Sequence, residues 1–152
     1  GADLITWLMR GEWPVSVTAV TQQIKPGIYP KVDDEATIIL TYPHAQGIIQ
    51  ASWNWPFGRK DFELYGTRGS LIAPERSTLR LKISDGPASE ETLPALEGAR
   101  RDPLDFFAAV VRGEVKPDGL SSLETNLIVT EILDAARTSA RTGCRVDLAQ
   151  EH

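Results

Sequence analysis

The densest run of chemically capable side chains is Trp53-Asn54-Trp55-Pro56-Phe57-Gly58-Arg59-Lys60. A guanidinium, an ammonium and an amide can bind hydroxyls or anions, and an indole ring offers a flat apolar face. A Pro/Gly loop at a strand end carrying these types suits an anionic or polyhydroxylated ligand. Two readings compete. Tryptophans two apart on one strand face are ordinarily core packing, and Arg59-Lys60 alone is ordinarily solvated charge. Tyr29, in the Pro/Gly loop Lys25–Pro30, is either a small packing residue or a lid. The acidic run Asp33-Asp34-Glu35 reads as a solvated strand end, or more sharply as a ligand-facing carboxylate.

The remaining reactive types are sparse. His44 lies in the turn sequence Pro43-His44-Ala45-Gln46-Gly47, and His152 is the last residue. No ligand set has zinc spacing to His44, and nothing assembles a Ser-His-Asp relay around it. Cys144 is the single cysteine. It is expected to be a small buried filler at the start of the last strand, and it fits a reducing compartment. Metal ligation is therefore not expected.

Alternating and helical patterns define the elements that must position these groups. Residues 3–11 read as a helix presenting Leu4, Trp7 and Leu8, stopped by Gly11. Residues 15–24 alternate weakly, with Val15, Val17 and Ala19 on one side. Residues 35–42 place Ala36, Ile38, Leu40 and Tyr42 on one face. After the Pro43–Gly47 turn, residues 47–55 place Ile49, Ala51, Trp53 and Trp55 on one face, which is hairpin logic. Lys60–Tyr65, Ser70–Ala73 and residues 77–84 follow, the last with Leu79, Leu81 and Ile83 inward. Residues 85–101 read as a polar surface excursion. Asp102-Pro103 opens a helix with the stripe Phe106, Phe107, Val110 and Val111. Ser121-x-x-Glu124 reads as a capping box for a helix with Val129, Ile132, Leu133, Ala136 and Ala140 inward, ended by Gly143. Cys144–Leu148 is a last strand. Short connections predict antiparallel pairing. The expectation is an α+β fold: a large, mostly antiparallel, open-faced sheet with helices on one face.

Composition narrows the function classes. The chain has 152 residues, 41% hydrophobic and 24% charged, with a net charge of −5. That excludes a disordered or collagen-like chain and argues against nonspecific nucleic-acid binding. Apolar runs are too short to span a membrane. The 12 glycines never fall as G-x-G, so the strand-to-helix turn that cradles a dinucleotide pyrophosphate is not encoded here.

Six pieces occur in an order that resembles the C-terminal domain of the Gfo/Idh/MocA oxidoreductases, the glucose–fructose oxidoreductase and inositol dehydrogenase group. They are Asp3-Leu4 with Trp7-Leu8; Pro14-Val15-Ser16-Val17; Asp34-Glu35-Ala36 with its strand; Gly47 to Ser52-Trp53; Glu63-Leu64-Tyr65-Gly66-Thr67-Arg68-Gly69-Ser70-Leu71; and Glu124-Thr125 through Ala136, Ser139–Gly143 and Val146-Asp147-Leu148. The resemblance runs from Asp3 to Leu148, with residues 149–152 a tail. It implies a parent enzyme with an N-terminal Rossmann domain holding NAD or NADP, acting on a sugar, inositol or related polyol. It implies subunit contacts or a substrate site on the open sheet face, where the outward set Thr37, Thr41, Gln50, Ser52 and Arg80 lies.

The family's D-x-x-x-H motif is followed by an aspartate that Asp3 matches. Its catalytic aspartate and histidine are thus expected just before Gly1, and its lysine in the Rossmann half. No catalytic, cofactor-binding or metal-binding residue carries over to this chain. The substrate-binding set that does is Tyr29, Trp55, Arg59 and Lys60. The chain alone is expected to be inactive and to bind no cofactor. Its expected partners are its own Rossmann domain, a small polyol and further copies through the open sheet, in a cytoplasmic setting without nucleic acid or membrane. The alternative is a stand-alone ligand-binding or interaction module that kept the fold without a cofactor domain.

Overall fold

The structure, a computed structural model, describes residues 1–148; the tail at 149–152, with His152, lies outside the described residues. The chain divides into two units. The first is Gly1–Asn54 with the chain from Pro117 on, and the second is Trp55–Lys116. The α+β class with antiparallel strands holds, and the strands divide between two four-stranded sheets, ordered β3-β2-β1-β8 and β4-β5-β6-β7. Every strand pairing among the described residues is antiparallel.

In the first unit, β1 (Ser16–Gln22), β2 (Glu35–Thr41) and β3 (Gln46–Ser52) form a meander, and β8 (Val146–Asp147) pairs with the start of β1. The β2–β3 register sets Leu40 against Gly47 and Ile38 against Ile49. The apolar alternation expected for these strands is thus realised on one face. Helices α1 (Ala2–Leu8) and α3 (Leu123–Thr142) supply the rest of the core: Val17, Leu40 and Ile132 are wholly buried, with Ala19, Tyr42, Ile128, Ala135 and Ala136 around them. Small residues suit these contacts. Gly47 lets Ile5 of α1 lie directly on β3, since a Cβ there would stand 3.0 Å from the Ile5 side chain.

β8 is too short to pair all of β1. The Ala19 N–H instead donates to the buried Ser139 Oγ of α3, 2.9 Å away. A buried amide left unpaired would cost about 1–3 kcal/mol, which explains a serine at a buried position of α3.

Several expectations change. In α1 the buried residues are Ala2 and Thr6, with Ile5 and Met9 packed beside them, while Trp7 is half exposed. Seven residues fit two candidate faces, and the smaller side chains take the side against α3 and the sheet. The helix unwinds after Leu8, before Gly11, with Arg10 already left-handed at φ 56°. The α3 cap is Ser122, whose Oγ accepts from Thr125 N at 3.1 Å. Ser121 instead closes a 3₁₀ turn, Gly119–Ser121, by donating its N–H to Asp118 O. Ile128 joins the α3 core face, while Leu133 stays half exposed. Cys144 is exposed rather than buried, because β8 begins only at Val146. Gly143 ends α3 in the left-handed conformation at φ 68°, as its position predicts.

The second unit is a β4 (Phe62–Gly66), β5 (Gly69–Glu75), β6 (Thr78–Ile83), β7 (Ser89–Thr92) meander followed by a 3₁₀ turn, Gly98–Arg101, and α2 (Pro103–Val111). The stretch at 85–101 thus contributes a strand where a surface excursion was expected. Asp102 caps α2, accepting from Leu104 N at 2.8 Å, and Pro103 starts it. The expected apolar stripe forms only in part: Phe106 and Val110 are half-buried near the buried Ala109, while Phe107 and Val111 are exposed. Ile83 is exposed too, while Leu79 and Leu81 are half-buried.

Tyr42 offers a test of the first unit's core. Its ring is buried, and its hydroxyl finds no protein partner. Burial, with a smaller push from the Glu12 charge, raises its phenol from 10.0 to about 12. A raised phenol pKa contributes stability that is intact below the unfolded value near 10 and is lost as pH rises through the folded value. Tyr42→Phe should therefore match the parent chain near pH 7, or slightly exceed it, since an unpaired buried hydroxyl is removed. It should lose less stability between pH 9 and 11.5. Urea midpoints measured across that range check this.

Candidate functional site

Asp34 is the hub of the first unit's loop end. It is only 2% exposed. Its two carboxylate oxygens accept from Ile24 N at 2.7 Å and Lys25 N at 2.8 Å, folding the 23–33 loop back on the strand. Its carbonyl accepts from Trp53 N at 2.9 Å and Asn54 Nδ2 at 3.2 Å. Burial opposes ionisation of this carboxyl. The hydrogen bonds from the Ile24 and Lys25 amides, with the Asn54 side-chain amide close by, outweigh it and hold the group below the usual carboxylate range. The acidic run is thus neither a solvated strand end nor ligand-facing at Asp34. Glu35, opposite Ser52 in the register, accepts from Ser52 Oγ and from Asn54 Nδ2 at 3.2 Å.

These bonds end β3 at Ser52. The Asn54 N–H then turns back to Ser52 Oγ at 3.0 Å, so Trp53 and Trp55 do not share a strand face. Trp53 is 60% exposed, not packed in the core. Tyr29 meets it edge-on, with ring centroids 5.0 Å apart and planes at 62°. The Tyr29 backbone is itself pinned: its N–H donates to Lys25 O at 2.9 Å, and its carbonyl accepts from Gln23 Nε2. Sequence reasoning placed Tyr29 in the site but missed Trp53 as its partner, along with Asp34 and Asn54, which hold both. The signal was the acidic residue before β2 facing a Ser-Trp-Asn strand end.

Trp55, Arg59 and Lys60 belong to the second unit. The Arg59 guanidinium lies over the Trp55 ring, 5.4 Å from its centroid. Its Nε and Nη2 donate to Asp61 at 2.6 and 2.8 Å, a bidentate fork. The fork raises the Arg59 pKa and lowers that of Asp61. Both side chains reach solvent, so the pair contributes little stability, but it does fix where the cation points. Lys60 is exposed beside them. The structure thus joins Trp55 to Arg59, and it places Tyr29 in the other unit with Trp53.

On the open face of the first unit's sheet, Thr37 stands opposite Gln50 and Ile39 opposite Ile48. Ile48 and Val20 are exposed there, so this face mixes apolar and polar groups. Arg80, in the second unit, is paired with Glu90 at 2.8 Å. Among the described residues no cluster of three or more His, Cys, Asp or Glu could hold a metal ion. No helix there is long and apolar enough to cross a membrane. The strand–glycine turn–helix crossover of Rossmann dinucleotide sites joins parallel strands, whereas every strand pairing among the described residues is antiparallel.

Comparison with known proteins agrees with this architecture. Residues 1–72 match the sequence profile described as the GFO/IDH/MocA C-terminal domain. No curated protein matches. Among solved structures, a candidate oxidoreductase from Thermotoga maritima is 22% identical at TM-score 0.79, over 97% of this chain and 44% of its own. The aldose-aldose oxidoreductase from Caulobacter crescentus, complexed with glycerol, is 20% identical at TM-score 0.73, over 96% and 44%. The WlbA dehydrogenase from Bordetella pertussis, in complex with NADH and UDP-GlcNAcA, is 21% identical at TM-score 0.64, over 99% and 43%. These identities establish a shared fold. The chain spans about half the length of the structures it matches.

Proposed function

We propose that this chain, similar in its first half to the Gfo/Idh/MocA C-terminal domain and in its whole fold to oxidoreductase structures, is the substrate-binding and subunit-pairing domain of an NAD(P)-dependent oxidoreductase acting on a sugar, inositol or related polyol. The observation that carries the reading is the joint match: the family profile over residues 1–72 and near-complete coverage of this chain by about half of each oxidoreductase chain. In the parent enzyme a separate Rossmann domain would hold NAD or NADP, which supplies hydride acceptance when bound.

This chain's own residues would bind and orient the polyol. Hydride transfer is sensitive to small misplacements of the reacting carbon, so a rigid loop is worth more than a merely polar one. The Trp55–Arg59–Asp61 arrangement has that character: the cation is fixed by a fork and a ring rather than left to wander. Lys60, exposed beside it, adds a further hydroxyl or anion donor. The open face of the first unit's sheet, with Ile48 and Val20 exposed among Thr37 and Gln50, would pair subunits.

In the parent enzyme, Arg59→Ala should raise KM for the polyol by about tenfold, the cost of one lost charged hydrogen bond. The effect on kcat should be smaller. Steady-state kinetics with a panel of sugars and cyclitols checks this; unchanged KM for every accepted substrate would remove Arg59 from the site.

A further inference from the structure

We infer that the first unit carries a binding groove for a small aliphatic monocarboxylate, between α3 and the core face of β1 and β2. The groove belongs wholly to that unit and does not rest on the polyol reading.

The groove has a volume of about 280 Å³ and is lined by Ala19 and Thr21 of β1, Ile38 of β2, and Leu133, Ala136 and Arg137 of α3. Its origin is local. Ala19 and Ile38 are register partners, and both belong to the core side of the sheet. Leu133, Ala136 and Arg137 stand three and four residues apart, on one flank of the helix. The strand offers Ala19 and the helix offers Ala136, so space is left between them. Leu133 shows the consequence: it belongs to the apolar stripe of α3 yet stays 46% exposed. Protein interiors are ordinarily filled, and an apolar groove with a few polar groups is the usual form of a small-molecule site.

The lining says which guest fits. The walls are aliphatic, with no aromatic ring among them. Arg137 is exposed at the groove and makes no ion pair or hydrogen bond among the described residues, even with Asp134 one turn before it. A second donor lies on β1. Alternate amides of this strand face away from β2. That of Ala19 is taken by Ser139 Oγ. That of Thr21, two residues on and beyond the β8 pairing at Ser16 and Val17, has no partner among the described residues, and neither has its hydroxyl. A guanidinium, an amide N–H and a hydroxyl are donors that a carboxylate accepts from, and the methyl-rich walls suit its chain. At roughly 30 Å³ for each water-sized group, the volume admits a chain of hexanoate's length and not a long-chain lipid. An amine of the same shape would meet Arg137 as a like charge.

The test uses the chain itself, labelled with ¹³C at the isoleucine δ1 methyls, with the Ile38 resonance assigned by its loss in Ile38→Val. Hexanoate, 1-hexanol and hexylamine are titrated separately at pH 7. The groove predicts a saturable Ile38 shift with hexanoate, at least about tenfold weaker binding of 1-hexanol, and no response to hexylamine. Arg137→Gln, a surface change, should weaken hexanoate at least about fivefold and leave 1-hexanol within about twofold. Ala136→Leu should fill the groove and abolish both responses. Equal binding of hexanoate and 1-hexanol, unchanged in Arg137→Gln, would overturn the carboxylate site. An Ile38 methyl silent to all three compounds would overturn the groove as a site. A dimer in sedimentation that Ala136→Leu dissociates, with Ile38 unresponsive to hexanoate, would show that a second copy covers the groove and would overturn the proposal as well.

Discussion

Gly69→Ala should destabilise the second unit by about 3 kcal/mol or more, the upper range for a side chain forced into a packed site. Gly69 stands in β5 between Gly66 of β4 and Ile83 of β6. A Cβ there would lie 2.2 Å from the Lys82 carbonyl oxygen and 3.0 Å from Ile83 Cα. Both are backbone atoms of the neighbouring strand, so no side chain can swing aside. The β5–β6 pairing would have to open. The second unit has little else to hold it, since Ala73 and Ala109 are its buried apolar residues among those described. Gly58→Ala is the matched control: nothing lies within 4 Å of its Cβ, so its effect should stay within about 0.5 kcal/mol. Urea unfolding followed by near-ultraviolet circular dichroism separates the two. Equal midpoints would show that the strand spacing is not what Gly69 sets.

Asp34→Ala should be the most damaging change in the first unit's loop end. It strands the Ile24 and Lys25 amides, which now bond to the carboxylate, and frees the loop that carries Tyr29. A melting temperature lower by on the order of 10 °C follows if both amides lose their acceptor. Asp34→Asn keeps one acceptor oxygen and should fall between. The pH dependence has a definite sign. The folded carboxyl titrates below its ordinary value, so its contribution is present above the unfolded pKa near 4 and is lost as pH falls through the folded one. The parent chain and Asp34→Asn should therefore converge in stability below about pH 4 and diverge above it. Thermal melts from pH 2.5 to 7 check both statements. A constant gap across that range would mean the charge of Asp34 is not involved.

The parts of the molecule legible from sequence are those set by local pattern. The β2–β3 hairpin is one: a period of two, a Pro-to-Gly turn and an apolar set of Ile38, Leu40, Tyr42 and Ile49 leave one register in which the core face is consistent. The Asp102-Pro103 start and Gly143 stop are others, because each is a one-residue chemical requirement. What escaped was set by partners far along the chain. Trp53 looked like a strand residue because it continues the alternation of Ile49 and Ala51. Only the bonds to Asp34, some twenty residues earlier, end the strand and turn the ring outward. Ser121 and Ser122 are chemically equivalent as caps, and the 3₁₀ turn before α3 decides between them. The apolar side of α2 shows the same limit: periodicity can mark a stripe, but Phe107 and Val111 are exposed. In the candidate site, residue types marked a loop of aromatic and cationic groups, but the pairing of Arg59 with Asp61 and of Tyr29 with Trp53 is tertiary.

The proposed function divides the labour, with substrate recognition on this chain and the dinucleotide held elsewhere. Calorimetry of the isolated chain tests it most directly, with NADH and a panel of cyclic polyols titrated under the same conditions. Measurable, weak binding of at least one polyol and no heat of binding from NADH are the expected result. Tight NADH binding with no response to any polyol would contradict it.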